Sequence, residues 1–420
     1  LVAGPIVRAS DFIPQLHKPY FLSRKQFGIA VFWIMNGLVK KIVLSDYIAV
    51  NFVDRVFENP LLYSGFENLS ALFGYSLQVY ADFSGYTDIA IGVAMLMGFY
   101  LPKNFNSPYK AKNPGEFWKR WHISLSRWLQ DYLYIPLGGN RNATFGTYCI
   151  IVTIAAIGAF LSGSWWVAVI IIGIAAAIAV SGYFHPEKRK KITTNLNSFD
   201  TMLLGGLWHG ASWNFMIWGG LNGIGIIIFK FWRNWNIYVR TVVLTLITAM
   251  LGLLCRFVPR PVFNLFFVWF VILWIGNLVR FVYHLCHGNK PYQWLADAWA
   301  ILQTFTFITF TRLFFRSGSN LDPAEANETA WNTAQNMVKQ IGSHWNTSLI
   351  PNMMYQYRNV FLLIILGMFI HWIPEHFKRR YRIWFAKMPL PLMVAAVVFI
   401  IFVMYQFITA DLQSFIYFQF

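Results

Sequence analysis

Two histidines stand out among the groups that could do chemistry. His209 lies in residues 201–229, TMLLGGLWHGASWNFMIWGGLNGIGIIIF, which run 29 residues without an Asp, Glu, Lys or Arg. His122 lies in FWKRWHISLSRWLQDYLYIPLGGNR, directly after Arg120 and Trp121. A neutral imidazole can take the proton of a hydroxyl as that oxygen attacks an acyl carbonyl, and such general-base help contributes about 10²- to 10⁴-fold. Placing an imidazole in an apolar run costs free energy, so His209 calls for a reason beyond packing. The alternative for each is a packed, hydrogen-bonded histidine.

The other histidines offer less. His17, His185, His344, His371 and His376 fall in loops or near segment ends, where solvation is the default. His284 and His287 flank Cys286, but no further ligands stand at zinc spacing, so no metal site is expected. The chain has no G-x-S-x-G elbow, no H-E-x-x-H helix and no Walker-type phosphate loop. A serine hydrolase, a membrane zinc protease and an ATP-driven pump therefore lack their usual signatures.

The segments that must position these groups differ in kind. Around His209 stand Trp208, Trp213 and Trp218, and glycine occurs seven times from Gly205 to Gly225. Such a backbone can approach other helices closely or leave helical geometry where it lines a cavity. Residues 108–141 read as one unit opened by Asn113-Pro114-x-Glu116, an N-cap, an N1 proline and a capping-box acid. Phe117, Trp121, Leu125, Trp128 and Leu129 recur at helical spacing while Lys119, Arg120 and Arg127 take other angles, which predicts an amphipathic helix at the interface or dipping into the bundle. Pro136 and Gly138-Gly139 end it. Upstream, YADFSGYTDIAIGVAMLMGF (80–99) carries Asp82 and Asp88 in an otherwise membrane-compatible stretch, where Asp82 or Ser84 could cap a helix starting near Tyr86.

Composition sets the class. The chain of 420 residues is 57% hydrophobic, 19% aromatic and 12% charged, with a mean hydropathy of +0.47. This is a polytopic membrane protein. Residues 142–186 hold 45 residues without a formal charge, where one spanning helix needs about 20; with Ser162-Gly163-Ser164 in the middle they predict a helical hairpin. The net charge of +17 is gathered in short connections rather than on a soluble face, so it points to the membrane surface and not to nucleic acid. Lys188-Arg189-Lys190-Lys191 and Lys378-Arg379-Arg380 with Arg382 are the densest clusters, and the positive-inside bias puts both in the cytoplasm. Cys149, Cys255 and Cys286 form no disulfide framework.

Further spans are expected at 27–50 and 69–81, and, beyond His209, at 238–255, 261–279, 298–313, 360–374 and 388–410. Asp322-Pro323-x-Glu325 opens a second capped helix that is placed outside the hydrocarbon. Two cytoplasmic clusters must be joined by an even number of crossings, yet five apolar segments lie between Lys191 and Lys378. The glycine-rich His209 segment is the best candidate for the one that is re-entrant. No repeat or linker divides the chain, so residues 1–420 are expected to form one domain.

In this order, YADFSGYTDIAIG, FWKRWHISLSRWLQDYLYIPLGGNR and GGLWHGASWNFMIWG resemble the membrane-bound O-acyltransferases. The Gly138-Gly139-Asn140-Arg141 ending and the final FIYFQF are more similar to the bacterial branch that acts on alginate; the D-alanyl transferases of teichoic acids are more distant. The similarity runs over most of the chain, from Ala3-Gly4-Pro5-Ile6 to the C-terminus. It implies an all-α fold, a ring of transmembrane helices around a thin centre with re-entrant segments, preceded by further helices that this chain, beginning at Leu1, does not include. The 142–186 hairpin is longer than the expected link between the two histidine motifs and is read as a lineage-specific addition.

The resemblance also implies roles. His209 corresponds to the catalytic histidine and His122 to the second histidine of the same site. Arg120, Trp121, Asp131 and Arg141 would line the donor side, with Asp82, Trp208, Trp213 and Asn214 supporting the site. The expected activity is acetyl transfer, in a bacterial inner membrane, from cytoplasmic acetyl-CoA to an exported or cell-surface polysaccharide. No bound cofactor or metal is expected, and a periplasmic acyl-transfer partner protein is. The alternatives are D-alanyl or other acyl transfer to an envelope polymer and, in a different class, a transporter or flippase, against which the lack of an inverted repeat counts.

Overall fold

The computed structural model describes residues 5–161, 164–210, 212–288, 292–317, 323–408 and Phe415. Ser162-Gly163 of the expected hairpin turn, Ala3-Gly4, the Asp322 cap and the terminal hexapeptide apart from Phe415 lie outside the described residues. Helix makes up 83% of the chain, and no strand occurs among the described residues. Among the described residues six helices are long and apolar enough to cross a membrane, or up to eight if each of two bent pairs counts as one span. The multi-pass class read from composition and the all-helical fold that the resemblance implies are thus observed.

The chain divides into two compact units, Leu1–Ser124 with Trp235–Phe420, and Leu125–Asn234. In the first, a capping box of Ser23 and Gln26 starts the helix Arg24–Val39, which continues into π-helical turns at Lys40–Asp46 and Ala49–Val53. A second capping box, Ser64 with Glu67, starts Gly65–Leu96. The two helices pack closely at small residues: a Cβ on Gly85 would stand 2.8 Å from the Gly37 carbonyl oxygen, and one on Gly92 2.7 Å from that of Ala30.

Across this contact the wide π turn delivers two consecutive lysines to one neighbour. Lys40 Nζ lies 2.6 Å from Asp88 Oδ2. Lys41 Nζ lies 2.7 Å from Asp82 Oδ1 and 2.8 Å from Asp46 Oδ1. Charges withdrawn from water persist only when paired in this way. The expected helix start after Asp82 is therefore corrected: Gly65–Leu96 runs 32 residues without a break. Once Lys41 neutralises it, a mid-helix Asp82 needs no helix end.

The expected single amphipathic unit at 108–141 is corrected too. It consists of Pro114–Trp118, Ile123–Leu129 and a π turn Gln130–Tyr134. The N-cap is as read, with the Asn113 side chain accepting from the Glu116 N–H at 2.8 Å. Glu116, however, accepts from the Lys112 N–H and pairs with Arg120. The break falls at His122, whose φ is 44°.

The apolar segments between the two basic clusters differ in form. Four unbroken helices, Trp213–Asn234, Ile237–Phe257, Pro261–His287 and Gln293–Arg316, lie between Lys191 and Lys378, and a pair bent by 81°, Thr347–Gln356 with Arg358–Trp372, follows them. The His209 stretch is a helix end, a turn and the helix Trp213–Asn234.

In the second unit Phe145–Leu161 and Trp165–Phe184 form the two arms of the expected hairpin. No residue of Trp165–Phe184 is buried, as suits a helix surrounded by lipid. Pro186 at the first position opens Pro186–Leu207, which ends just before His209. This helix meets Trp213–Asn234 through glycines, because a Cβ on Gly206 would stand 2.2 Å from the Phe215 carbonyl oxygen and one on Gly219 2.4 Å from that of Met202.

Candidate active site

In the first unit, His122 is 1% exposed. Its left-handed φ of 44° is uncommon for a side chain of this size, and Asn104 holds it there. The Asn104 Oδ1 accepts from Ser124 N at 3.0 Å, Ser124 Oγ at 2.9 Å and His122 Nδ1 at 3.3 Å, while the Asn104 carbonyl accepts from Ile123 N at 2.9 Å. With the amide oxygen as acceptor, Nδ1 carries the hydrogen of this contact. The ring stands edge-on to Phe83 at 4.7 Å.

Trp121, 7% exposed, packs on Phe105 at 5.1 Å and Phe117 at 5.7 Å. Arg312 also packs on it, its guanidinium 4.4 Å from the ring centroid. Arg312 Nη1 also donates to the Ser76 carbonyl at 2.9 Å and to the Tyr109 hydroxyl. Arg120 is tied to Glu116 at 2.8 Å and to the Asn106 carbonyl at 3.1 Å. Asp82 and Phe83 are neighbours on one helix, the first facing Lys41 and the second His122.

In the second unit, His209 is 7% exposed and sits in the turn between Pro186–Leu207 and Trp213–Asn234, its N–H donating to the Gly206 carbonyl at 2.9 Å. The imidazole stands edge-on to Trp208 at 5.0 Å and Trp218 at 5.2 Å, and stacks toward Phe215 at 6.3 Å. Trp208 is 37% exposed and Asn214 is buried; the Asn214 N–H is 3.3 Å from Ser212 Oγ. Trp213 is half-buried and begins the second helix. Asp131 is half-buried in the π turn Gln130–Tyr134, and Arg141 is exposed. Asp200, on Pro186–Leu207, is 1% exposed, and burial pushes its carboxyl up to about 7.

The expected residues thus gather into two groups. Arg120, Trp121 and His122 share one turn in the first unit, next to Phe83, which adjoins Asp82. In the second, Trp208 and His209 share a turn, with Trp213 and Asn214 at the helix start that follows. Sequence reasoning missed Asn104 and Arg312. Nothing in the neighbourhood of Asn104 marks it, whereas Arg312 interrupts the apolar run 298–313 and carried the usual signal of an intramembrane charge. Among the described residues no group of three or more His, Cys, Asp or Glu side chains could hold a metal ion.

Residues 1–158 match the family model of the membrane-bound O-acyltransferases. The resemblance read from the motifs is to this family. The O-acyltransferase match includes Asp82, Arg120, Trp121, His122, Asp131 and Arg141 and stops before His209. The chain is 38% identical over 231 residues to a probable alginate O-acetylase of Pseudomonas aeruginosa, covering 54% of this chain and 34% of the relative. It is 36% identical over 232 residues to a peptidoglycan O-acetyltransferase of Helicobacter pylori, covering 55% and 35%. A teichoic acid D-alanyltransferase of Bacillus subtilis is 25% identical over 241 residues, covering 56% and 49%. The chain spans about a third of the length of the O-acetylases it matches. These alignments take in about half of the chain, a shorter extent than the motifs suggested.

Proposed function

We propose that the chain is the membrane component of an O-acetyltransferase acting on an exported or cell-surface polysaccharide in a bacterial inner membrane. The observation that carries this is His122: a buried imidazole held in a left-handed turn by Asn104, within the stretch that matches the O-acyltransferase family. Acetyl-CoA is the donor, reached from the cytoplasm. His209 takes the proton of the attacking hydroxyl, which belongs to the acceptor or to a relay residue on a periplasmic partner protein. The oxygen bonds to the acetyl carbon, the carbon–sulfur bond breaks, and the proton passes to the departing thiolate. The net reaction is thioester plus alcohol to ester plus thiol. His122 positions or polarises the thioester, with Arg120, Trp121, Asp131 and Arg141 on the donor side.

A second acyl group is favoured by one observation, the similarity to a teichoic acid D-alanyltransferase, although the O-acetylating relatives are closer in identity. Supplying membranes that hold the full-length protein with acetyl-labelled acetyl-CoA, and identifying the labelled product, decides between them. The expected outcome is an O-acetylated envelope polysaccharide, with His209→Ala reaching the membrane at normal levels yet transferring nothing. Undiminished transfer by His209→Ala would overturn the assignment of that residue, and labelling only from a D-alanyl carrier would overturn the acyl group.

A further inference from the structure

Two lysines in the first unit reach one helix end, and Glu375, paired with Lys103, acts on both of them only from beyond ion-pair distance. Lys378 Nζ lies 3.0 Å from the His371 carbonyl and 3.4 Å from Ser107 Oγ. Lys110 Nζ lies 3.3 Å from the Ile373 carbonyl and 6.0 Å from the Trp372 ring centroid. Both ammonium groups therefore stand at the end of the helix Arg358–Trp372, one delivered by the 107–110 turn and the other by the helix Glu375–Lys387.

The turn is pinned in place. The Tyr109 N–H donates to His371 Nε2 at 3.2 Å, and Ser107, ahead of Pro108, is held at a φ of 45°. Two neighbouring cations have their own carboxylates: Lys103 pairs with Glu375 at 3.0 Å, and Arg120 with Glu116 at 2.8 Å. Among the described residues neither Lys110 nor Lys378 has a carboxylate within ion-pair distance. Both are half-buried, and burial together with Arg120 lowers the Lys110 amine below the usual lysine range.

Helix-end carbonyls account for one ammonium group well. Two like charges brought to the same helix end from separate segments repel each other, and each keeps donor capacity that a single carbonyl does not use. We propose that Lys110 and Lys378, with the Ser107 hydroxyl, form a binding site for a phosphate group. A phosphate supplies the missing charge and enough acceptor oxygens for both ammonium groups. The adjoining Arg379, Arg380 and Arg382 place this face at the cytoplasmic surface, where the phosphate can come from the nucleotide end of an acyl donor or from a lipid headgroup. Only the nucleotide source rests on the function proposed above.

Adenosine 3′,5′-bisphosphate binding to the full-length protein in phosphatidylcholine nanodiscs tests the nucleotide source. Retention of phosphatidylglycerol in native mass spectrometry tests the lipid source. Lys110→Gln and Lys378→Gln are each expected to weaken the bound phosphate at least tenfold, Lys378→Arg to preserve it, and Lys103→Gln to leave it unchanged. Loss of lipid retention alone in the Gln variants supports the phosphate site and counts against the nucleotide source. Nucleotide binding that is indifferent to both lysines overturns the site while leaving the donor assignment standing. Binding of neither probe by the wild type overturns the site.

Discussion

The guanidinium carbon of Arg312 lies 4.4 Å from the centroid of the Trp121 ring, and Trp121 is joined directly to His122. The same arginine donates to Ser76 and Tyr109, so one side chain ties three segments together beneath the candidate catalytic turn. Replacing Arg312 with Met leaves the Ser76 carbonyl without this donor. The expected loss is about 1.5–3 kcal/mol for the charged hydrogen bonds and about 0.5–2 kcal/mol for the cation–π contact. A lowered melting temperature in detergent, together with a loss of transferase activity that Arg312→Lys partly restores, is the expected result.

Asn104 offers a sharper probe of His122. Its amide oxygen accepts from Ser124 and His122, so Asn104→Leu should release the left-handed turn and lower kcat by at least tenfold. Asn104→Asp keeps an acceptor at the same place and should retain most of the activity. Equal loss in both variants would show that the oxygen is not what matters.

Lys41 is the shared partner of Asp46 and Asp82, with side-chain exposures of 8%, 9% and 5%. Lys41→Met strands two buried carboxylates, and breaking a buried pair costs about 3–5 kcal/mol. Asp82→Asn removes one carboxylate and leaves Lys41 paired with Asp46, so it should be the milder change. Comparing the two melting temperatures checks the order.

The helices flanking His209 meet at glycine. A Cβ on Gly206 would stand 2.2 Å from backbone oxygen, while one on Gly220 would meet side chains at ordinary or slightly tight distances, Leu203 at 3.3 Å and Phe199 at 3.9 Å. Gly206→Ala should therefore displace the His209 turn and abolish transfer, and Gly220→Ala should retain it. The contrast is read in one activity assay at matched protein levels.

Asp200 gives a pH dependence. Burial raises its carboxyl from 3.8 to about 7 in the folded chain, so the folded state keeps a proton that the unfolded state has lost. Its contribution is fully present below about pH 4 and declines as pH rises toward 7, by about 1.4 kcal/mol per pH unit between the two values. The melting temperature should fall over that window, and Asp200→Asn should flatten the fall.

The sequence by itself determined the class and the family resemblance. Apolar runs longer than a bilayer needs, basic clusters confined to connections, and two histidine motifs in order are local properties that survive without coordinates. The glycines near His209 likewise announced a close helix approach, which Gly206 and Gly219 make. Tertiary structure decided what local pattern cannot carry. Hydrophobic periodicity says which side of a helix is apolar, but not which distant group faces its polar residues. Asp82 looked like a helix cap because Lys41, its partner from another helix, is 41 residues away in sequence. His122 was placed within a continuous helix because its left-handed turn is imposed by Asn104, 18 residues earlier. The bend of 81° in the pair before Lys378 likewise leaves no mark on hydropathy.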